Sequence, residues 1–291
     1  MDTAGGLSGT VRGFRLALTV QGLRPSTIHH YVRDVQRLAR HFDGRAAISI
    51  TSTDIRSYVL ELQTHHAPKT VREAQLALRR FFRFLLQEEE IRDDPTKDVK
   101  LLRFRTDPQP TYAEAEVKRL LLVCSRKTRN GIRDRALLLT LFDTGVRVGE
   151  LVSMGLPNWE RRTARVEGKT GVREVPLGMA TLQAADRYAR RWGITEPPLW
   201  RGKKGALTGS GVLQIVRRLC HRADVPHKGV HAFRRAAAAQ MKRLGMNDSD
   251  ILEVMGWRSV EMLRRYTAAV AEELAHQAHR RCSPGDALQI G

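Results

Sequence analysis

Helical spacing of apolar residues is the feature that most constrains the fold of this chain. It runs from Thr27 to Phe42, resumes after Thr53, and continues from about Thr70 to Glu88. Because this spacing aligns apolar side chains along one face, the first third of the chain predicts a helical domain. The pattern stops between Ile91 and Pro110, where three prolines and dense charge indicate a linker.

The rest of the chain combines helical spacing with one short strand pattern. A capping box from Thr111 to Glu114 predicts a helix start, and TARVEGKTGVREVPL, which turns at 168–171, predicts a β-hairpin. Further helices are predicted at about 132–142, 179–191, 210–222, 231–244 and 248–255, and from 259 onward. The expected fold is mainly α. A helical domain at 1–106, with a linker at about 92–110, precedes a mainly helical domain with a small antiparallel β-sheet at 111–291.

The charge balance indicates a polyanionic partner. Lys and Arg number 50 against 31 Asp and Glu, which gives a formal net charge of +19. Such an excess disfavours the compact state by self-repulsion, so nucleic acid is the natural partner, with an anionic membrane surface as the alternative. No apolar run is long enough to span a membrane, and the three scattered cysteines suit a reducing compartment. We therefore expect a cytoplasmic protein that binds nucleic acid and no membrane.

The helix predicted at about 70–88 carries a basic face. Its apolar side includes Phe81, Phe82 and Leu85, and the opposite side carries cations almost exclusively. Surface helices usually mix charges of both signs, so this face is predicted to bind DNA; the alternative is an ordinary solvated surface. The predicted DNA-binding residues are Lys69, Arg72, Arg79, Arg80 and Arg83.

Several residues of the second domain combine into a set that can transfer a phosphodiester without a metal. Two arginines, Arg147 and Arg234, can hold the non-bridging oxygens and stabilise a phosphorane. Tyr266 offers a hydroxyl nucleophile that needs cations and a base beside it, and Lys169, in the hairpin turn, can protonate the leaving oxygen. Carboxylate clusters for Mg²⁺ are absent from the sequence, which argues against a two-metal nuclease. No cofactor is predicted.

Four segments in order, TGVRVGELVSM, VEGKTGVREVPL, HAFRRAAAAQMKRLG and MGWRSVEMLRRYTAA, resemble the catalytic signature of the tyrosine recombinases, the lambda-integrase family. Trp257 stands nine residues before Tyr266, as the last His or Trp of that signature does. The resemblance implies a site-specific recombinase that cuts and rejoins duplex DNA through a 3′-phosphotyrosyl intermediate. It also implies a helical, SAM-like core-binding domain, a C-shaped clamp around the duplex, and a tetramer on two paired sites.

The resemblance also implies a role for each residue of the signature. Tyr266 is the nucleophile, Arg147 and Arg234 clamp the phosphate, His231 assists proton transfer and phosphate binding, Lys169 is the general acid, and Trp257 completes the pocket. One departure is Arg235, which stands where many relatives have a second histidine. Because of that departure and the AAAAQ that follows, we favour a phage or mobile-element integrase of Xer-like size, with a directionality factor as a candidate partner.

Three alternatives remain open at this stage. An Xer-type chromosome-dimer resolvase would use the same residues, and so would a topoisomerase that relaxes supercoils without strand exchange. A catalytically decayed relative would bind DNA without cutting it.

A short cluster near the C-terminus has residue types that bind metals. His276, His279 and Cys282 lie within HQAHRRC, but no fourth ligand stands nearby. Short clusters of this kind often match ligand spacing by chance. We therefore predict an amphipathic helix there and no metal site.

Overall fold

The computed structural model describes residues 7–104, 109–169 and 171–288. The chain divides into two compact units, Met1–Thr106 and Asp107–Gly291. Helices dominate both, and the longest ladder of strands is one antiparallel hairpin. The mainly α fold with a small antiparallel sheet is thereby confirmed. Within the described ranges, no helix combines the length and the apolar character needed to cross a membrane.

The first unit is built from helices packed around an aromatic core. The helices are α1 (Leu7–Val20), α2 (Pro25–His41), α3 (Ser52–His65) and α4 (Pro68–Gln87), with a 3₁₀ turn at Ala47–Ser49. Phe14 of α1 meets Phe81 of α4 edge to face, with ring centroids 5.3 Å apart. Both rings are buried together with Leu38 of α2. The predicted apolar faces are therefore the ones that form the core.

Two helices of this unit start before the residues that the apolar spacing indicated. Helix α2 begins at Pro25, two residues before Thr27, because the fixed φ of proline suits the first turn of a helix. Helix α3 begins two residues before the predicted start, because Thr51 and Asp54 form a capping box. The Thr51 hydroxyl accepts the Asp54 N–H at 3.2 Å, and the Asp54 carboxylate accepts the Thr51 N–H at 2.8 Å.

The described part of the predicted linker packs against α4. Val99 is buried, and the side chain of Gln75 bonds the backbone of Lys100 at 3.0 Å and of Leu102 at 2.8 Å. Ile91 is also buried in the core of the first unit. These apolar anchors were hidden in the sequence by the surrounding prolines and charges. Residues 105–108 of the predicted linker lie outside the described ranges.

The second unit consists of helices around a buried central helix, α6. Its elements are α5 (Glu114–Leu122), α6 (Arg129–Thr144), α7 (Val148–Val152), β1 (Thr163–Gly168), β2 (Gly171–Pro176), α8 (Met179–Trp192), β3 (Arg201–Gly202), β4 (Gly205–Ala206), α9 (Gly209–Arg222), α10 (His231–Arg243), α11 (Asp248–Met255), α12 (Val260–Thr267), α13 (Ala271–Arg281) and α14 (Pro284–Ala287). Strands β1 and β2 pair antiparallel from Thr163↔Pro176 to Gly168↔Gly171, as predicted. The short β3–β4 pair was not predicted.

The predicted capping box at Thr111 is wrong. Helix α5 starts at Glu114, and the N–H of Ala113 is accepted by the Glu116 carboxylate at 2.7 Å. A carboxylate three residues after the first free N–H satisfies it directly, so the threonine is not needed. Thr111 instead donates its hydroxyl to the Ala232 carbonyl, at 3.4 Å.

The end of α6 is a close-packed turn that leads into the predicted site. Gly145 ends the helix with φ of 59°, a left-handed conformation that favours glycine. A Cβ added there would lie 2.7 Å from the sulfur of Met255. The turn therefore requires glycine both for its backbone and for its contact with α11.

Candidate active site

Tyr266 and His231 form the central contact of the candidate site. Their Oη and Nε2 atoms are 2.5 Å apart, although the residues come from α12 and from the first position of α10. The Tyr266 ring also packs against Trp257, with ring centroids 4.7 Å apart. A tyrosine hydroxyl is thus held against an imidazole nitrogen, the pairing that general-base activation requires.

Arg234 is buried and packs against Trp257, which also contacts the Tyr266 ring. Its guanidinium lies over the Trp257 ring at 4.9 Å and donates to the Gly145 carbonyl at 2.6 Å and to the Met255 carbonyl. Burial, together with the charge of Arg147, lowers the pKa of Arg234 to about 10, so the side chain stays cationic at neutral pH. Arg234 therefore supplies a fixed, buried positive charge next to Trp257.

Two donors beside this charge lack acceptors. Arg234 Nε and Trp257 Nε1 are buried, and neither finds an acceptor among the described residues. An unsatisfied buried donor costs roughly 1–3 kcal/mol. A bound anion with oxygen acceptors is the kind of ligand that would remove this cost.

Arg147 stands at the start of α7 and is held by Glu150. The Glu150 carboxylate accepts the Arg147 backbone N–H and the Arg147 Nη1, both at 2.9 Å. Glu150 is buried, and burial alone would raise its pKa. The hydrogen bonds from Arg173 and Arg147, with their charges, nevertheless bring the pKa of Glu150 below its ordinary value. Glu150 and Arg173 were not among the predicted site residues, although they lie within the segments TGVRVGELVSM and VEGKTGVREVPL.

Lys169 lies at the exposed turn between β1 and β2. The residue before it, Gly168, packs so closely on Glu150 that a Cβ would lie 2.7 Å from Glu150 Cγ. The turn that carries Lys169 is therefore beside the pair formed by Arg147 and Glu150.

His231 is held in its neutral form. Protein atoms around the ring desolvate it and lower the pKa of His231 to about 4. The charges of Arg235, Arg234 and Arg147 act in the same direction. A lowered pKa means that the imidazole is neutral above about pH 4, so at neutral pH it can accept a proton from Tyr266.

This neutrality can be measured in the DNA-free protein. We expect the NMR titration of His231 to have its midpoint near pH 4, and the Arg235→Gln substitution to move the midpoint upward because one repelling charge is lost. Arg217→Gln, an exposed change on α9, is the control and should leave the midpoint in place. A wild-type midpoint at the ordinary histidine value of about 6.5 would contradict the assignment.

The structure separates the predicted DNA-binding residues of α4 into two groups. Lys69 and Arg83 are exposed. The other three are partly buried and bonded within the unit: Arg72 to the Leu102 carbonyl, Arg79 to the Val99 carbonyl and Arg80 to the Gln21 side chain. Arg72 and Arg79 thereby anchor the segment that follows α4, a role that the helical pattern alone could not reveal.

This division predicts different outcomes for two double variants. Lys69→Gln with Arg83→Gln should weaken binding to duplex DNA and flatten its salt dependence, by about 0.9 in log–log slope for each phosphate that is no longer neutralised. Arg72→Gln with Arg79→Gln should instead lower the free energy of unfolding, by roughly 1 kcal/mol for each hydrogen bond removed. Salt titrations of binding and urea unfolding test both. If the first pair changes discrimination between sequences more than the salt slope, the two side chains contact bases.

The C-terminal cluster is placed on and just after α13. His276 and His279 lie on the helix, and Cys282 follows its end, all three exposed. Within the part of the chain that is described, no group of three or more His, Cys, Asp or Glu side chains is arranged to hold a metal ion.

Comparisons with known proteins bear on both units. The model of the Phage integrase family matches residues 111–273, and that of the phage integrase N-terminal SAM-like domain matches 11–91. The tyrosine recombinase XerC of Pelobacter propionicus is 29% identical over 91% of this chain and 92% of its own length. The tyrosine recombinase XerD of Neisseria meningitidis serogroup B is 25% identical over 84% and 88%. A lambda integrase tetramer bound to a Holliday junction has the same fold, with a TM-score of 0.77 at 16% identity over 91% of this chain and 78% of that one.

Proposed function

The chain belongs to the phage integrase family of tyrosine recombinases, and from this membership we propose that it cuts and rejoins duplex DNA with Tyr266 as the nucleophile. The Tyr266 oxygen attacks the scissile phosphorus, a tyrosyl–phosphate bond forms, and the bond to the 5′ oxygen breaks. The 5′ oxygen leaves with a proton, and the 3′ end remains on the enzyme. A 5′ hydroxyl of a second strand then attacks the phosphotyrosine and reverses these steps, so the phosphodiester energy is retained.

The observation that carries this proposal is the contact between His231 Nε2 and Tyr266 Oη, at 2.5 Å. A phenol with its ordinary pKa of about 10 is a weak nucleophile at neutral pH. The neutral His231 can accept the phenolic proton as attack begins, and the nearby cations favour the developing negative charge. Nucleophile and base are therefore in contact before DNA binds.

The phosphate is proposed to lie between Arg147, Arg234 and Trp257. The two arginines neutralise the equatorial oxygens of the phosphorane, and buried donors aimed at developing charge are the strongest form of such stabilisation. The unsatisfied Arg234 Nε and Trp257 Nε1 are the donors expected to bind these oxygens. Trp257 donates a hydrogen bond but cannot transfer a proton.

The proposed assembly is a tetramer on two paired sites in the cytoplasm, in line with the tetramer formed by lambda integrase on a Holliday junction. For the biological role we propose integration and excision of a mobile element, supported by the departure at Arg235. The names of the XerC and XerD relatives favour a second candidate, resolution of chromosome dimers.

One experiment tests the function and separates these roles. The protein is incubated with duplexes that carry a randomised central segment and with genomic fragments, then quenched in detergent, and the DNA linked to protein is sequenced. A recovered sequence that flanks the gene itself supports a mobile element, and one remote from the gene supports dimer resolution. Absence of any covalent adduct, with DNA binding intact, would point to a decayed relative. Relaxation of supercoils without strand exchange would point to a topoisomerase.

If Lys169 is the general acid, it protonates the 5′ oxygen as that oxygen leaves. Lys169→Ala should slow cleavage of the recovered site by about 10²–10⁴-fold. A 5′-bridging phosphorothiolate should restore the rate, because a thiolate leaves without a proton when the thiol pKa is about 8.5. Lys203→Ala, in the turn between β3 and β4, is the matched control. If the phosphorothiolate substrate does not restore the cleavage rate of Lys169→Ala, Lys169 does not act by protonating the 5′ oxygen.

A further inference from the structure

Arg173, on strand β2, connects the parts of the site that hold both phosphate-binding arginines. It bonds Glu150 on one side and the Val254 carbonyl of α11 on the other. We propose that Arg173 is a positioning residue that fixes Arg147 and the end of α11 for phosphate binding. This role rests on the proposed function, because it concerns how the proposed phosphate-binding residues are held in place.

Both oxygens of the Glu150 carboxylate accept two hydrogen bonds each. Oε1 accepts from Arg147 Nη1 at 2.9 Å and from Arg173 Nε at 3.3 Å. Oε2 accepts from the Arg147 backbone N–H at 2.9 Å and from Arg173 Nη2 at 3.1 Å. Each oxygen is thus shared between the two arginines. Without Arg173, both oxygens would have a free position, and Arg147 could rotate to bind Glu150 through two side-chain nitrogens instead of facing the phosphate.

Three consecutive carbonyls at the end of α11 accept hydrogen bonds from arginines. Val254 accepts from Arg173 at 2.8 Å, Met255 accepts from Arg234, and Gly256 accepts from Arg147 at 3.5 Å. The last carbonyls of a helix lack partners within the helix and carry partial negative charge, which attracts cations. Consecutive residues therefore anchor Arg173 and both proposed phosphate ligands, so a shift of any one carbonyl displaces the others.

Two glycines pack directly against the Glu150–Arg173 pair. A Cβ on Gly168 would lie 2.7 Å from Glu150 Cγ, and a Cβ on Gly256 would lie 3.1 Å from Arg173 Nε. Gly256 also has φ of 59°. Glycine at these two positions lets β1 and the end of α11 close on the Glu150–Arg173 pair from both sides.

Each side-chain nitrogen of Arg173 already donates one hydrogen bond within the protein. Nε and Nη2 bond Glu150, Nη1 bonds Val254, and the side chain is 18% exposed. Because these bonds hold the guanidinium against Glu150 and Val254, we expect its influence on the reaction to pass through Glu150, Arg147 and the α11 carbonyls. A loss of Arg173 should then reduce the rate of cleavage and leave the affinity for DNA almost unchanged.

The test compares Arg173→Gln, Arg173→Lys, Glu150→Gln and the double variant of Arg173→Gln with Glu150→Gln. Arg165→Gln, an exposed change on the same hairpin, is the matched control. Single-turnover adduct formation is measured on the recovered site, and DNA affinity and thermal unfolding are measured in parallel. We expect Arg173→Gln to slow adduct formation by about 100-fold, as a misplacement of about 1 Å can do, with DNA affinity kept.

Further readouts separate positioning from a general loss of structure. The double variant should be slower than Glu150→Gln by much less than 100-fold, because Arg173 acts mainly through that carboxylate and only its contact with the Val254 carbonyl remains to be lost. Arg173→Lys should recover part of the rate, since it keeps the charge. A 5′-bridging phosphorothiolate should leave most of the Arg173→Gln defect in place, whereas it rescues Lys169→Ala. Wild-type rates, or additive effects of the two Gln substitutions, would overturn the proposal.

A crystal structure of the DNA-free Arg173→Gln protein supplies a readout independent of activity. The Arg147 guanidinium should leave the Gly256 carbonyl, and an unchanged Arg147 would refute the positioning role. If wild type formed no adduct, the proposed function would fail, and this structure would still decide what Arg173 does.

Discussion

Tyr266→Phe should bind site DNA like wild type and form no covalent adduct. The substitution removes only the hydroxyl, so the ring can still pack on Trp257 at a centroid distance of 4.7 Å. What is lost is the oxygen that contacts His231 and that is proposed to attack phosphorus. Without that oxygen no tyrosyl–phosphate bond can form at this position, so the expected loss is complete.

Covalent adduct is measured as the protein–DNA complex that survives detergent, with a suicide substrate that is nicked near the cleavage site. Tyr31→Phe, a half-buried tyrosine of α2, is the matched control and should give adduct at the wild-type rate. Binding is followed by gel shift in the same samples. A phosphotyrosyl complex formed by Tyr266→Phe would assign the nucleophile to another residue.

Arg147→Ala and Arg234→Ala should each slow cleavage by about 10²–10³-fold, as expected when a donor that stabilises transition-state charge is removed. Their effects on stability should differ. Arg234 is buried, and its loss leaves the Gly145 and Met255 carbonyls without donors, at about 1–3 kcal/mol each. Arg147 is partly exposed, and after its loss Glu150 still has Arg173 as a partner.

Denaturant unfolding and single-turnover cleavage together test this contrast. Arg234→Lys is a useful companion variant, because it keeps the charge and loses the planar fork that reaches two carbonyls. We expect it to remain folded better than Arg234→Ala while cleaving poorly. Equal destabilisation by Arg147→Ala and Arg234→Ala, or cleavage at the wild-type rate by either, would contradict the proposed roles.

Most of the secondary structure could be predicted because its signals are local. The apolar spacing of α4 and α10 and the alternation around Gly168–Gly171 each lie within one segment. Helix starts were less predictable, because several nearby polar groups compete for the same free N–H groups. At α5 the Glu116 carboxylate prevailed over the Thr111 hydroxyl.

The role of individual cations was the least predictable. Arg72, Arg79 and Arg83 share one helix face in sequence, yet two of them bond carbonyls of the segment that follows α4 and only Arg83 is exposed. An arginine on a helix face has the same spacing whether it meets solvent, DNA or another part of its own chain. Only the packed unit distinguishes these cases.

Local patterns in the amino-acid sequence were enough to predict the helical character of both units and the hairpin, and the ordered motif with Arg147, His231 and Tyr266 was enough to indicate the family. How these residues are held in place became visible only in the folded chain. Glu150 meets Arg173 across 23 positions, and Arg147 meets the Gly256 carbonyl across 109. Periodicity reports only on neighbours within a few turns, whereas the site is assembled by side chains that reach between elements and satisfy buried carboxylate and carbonyl oxygens there.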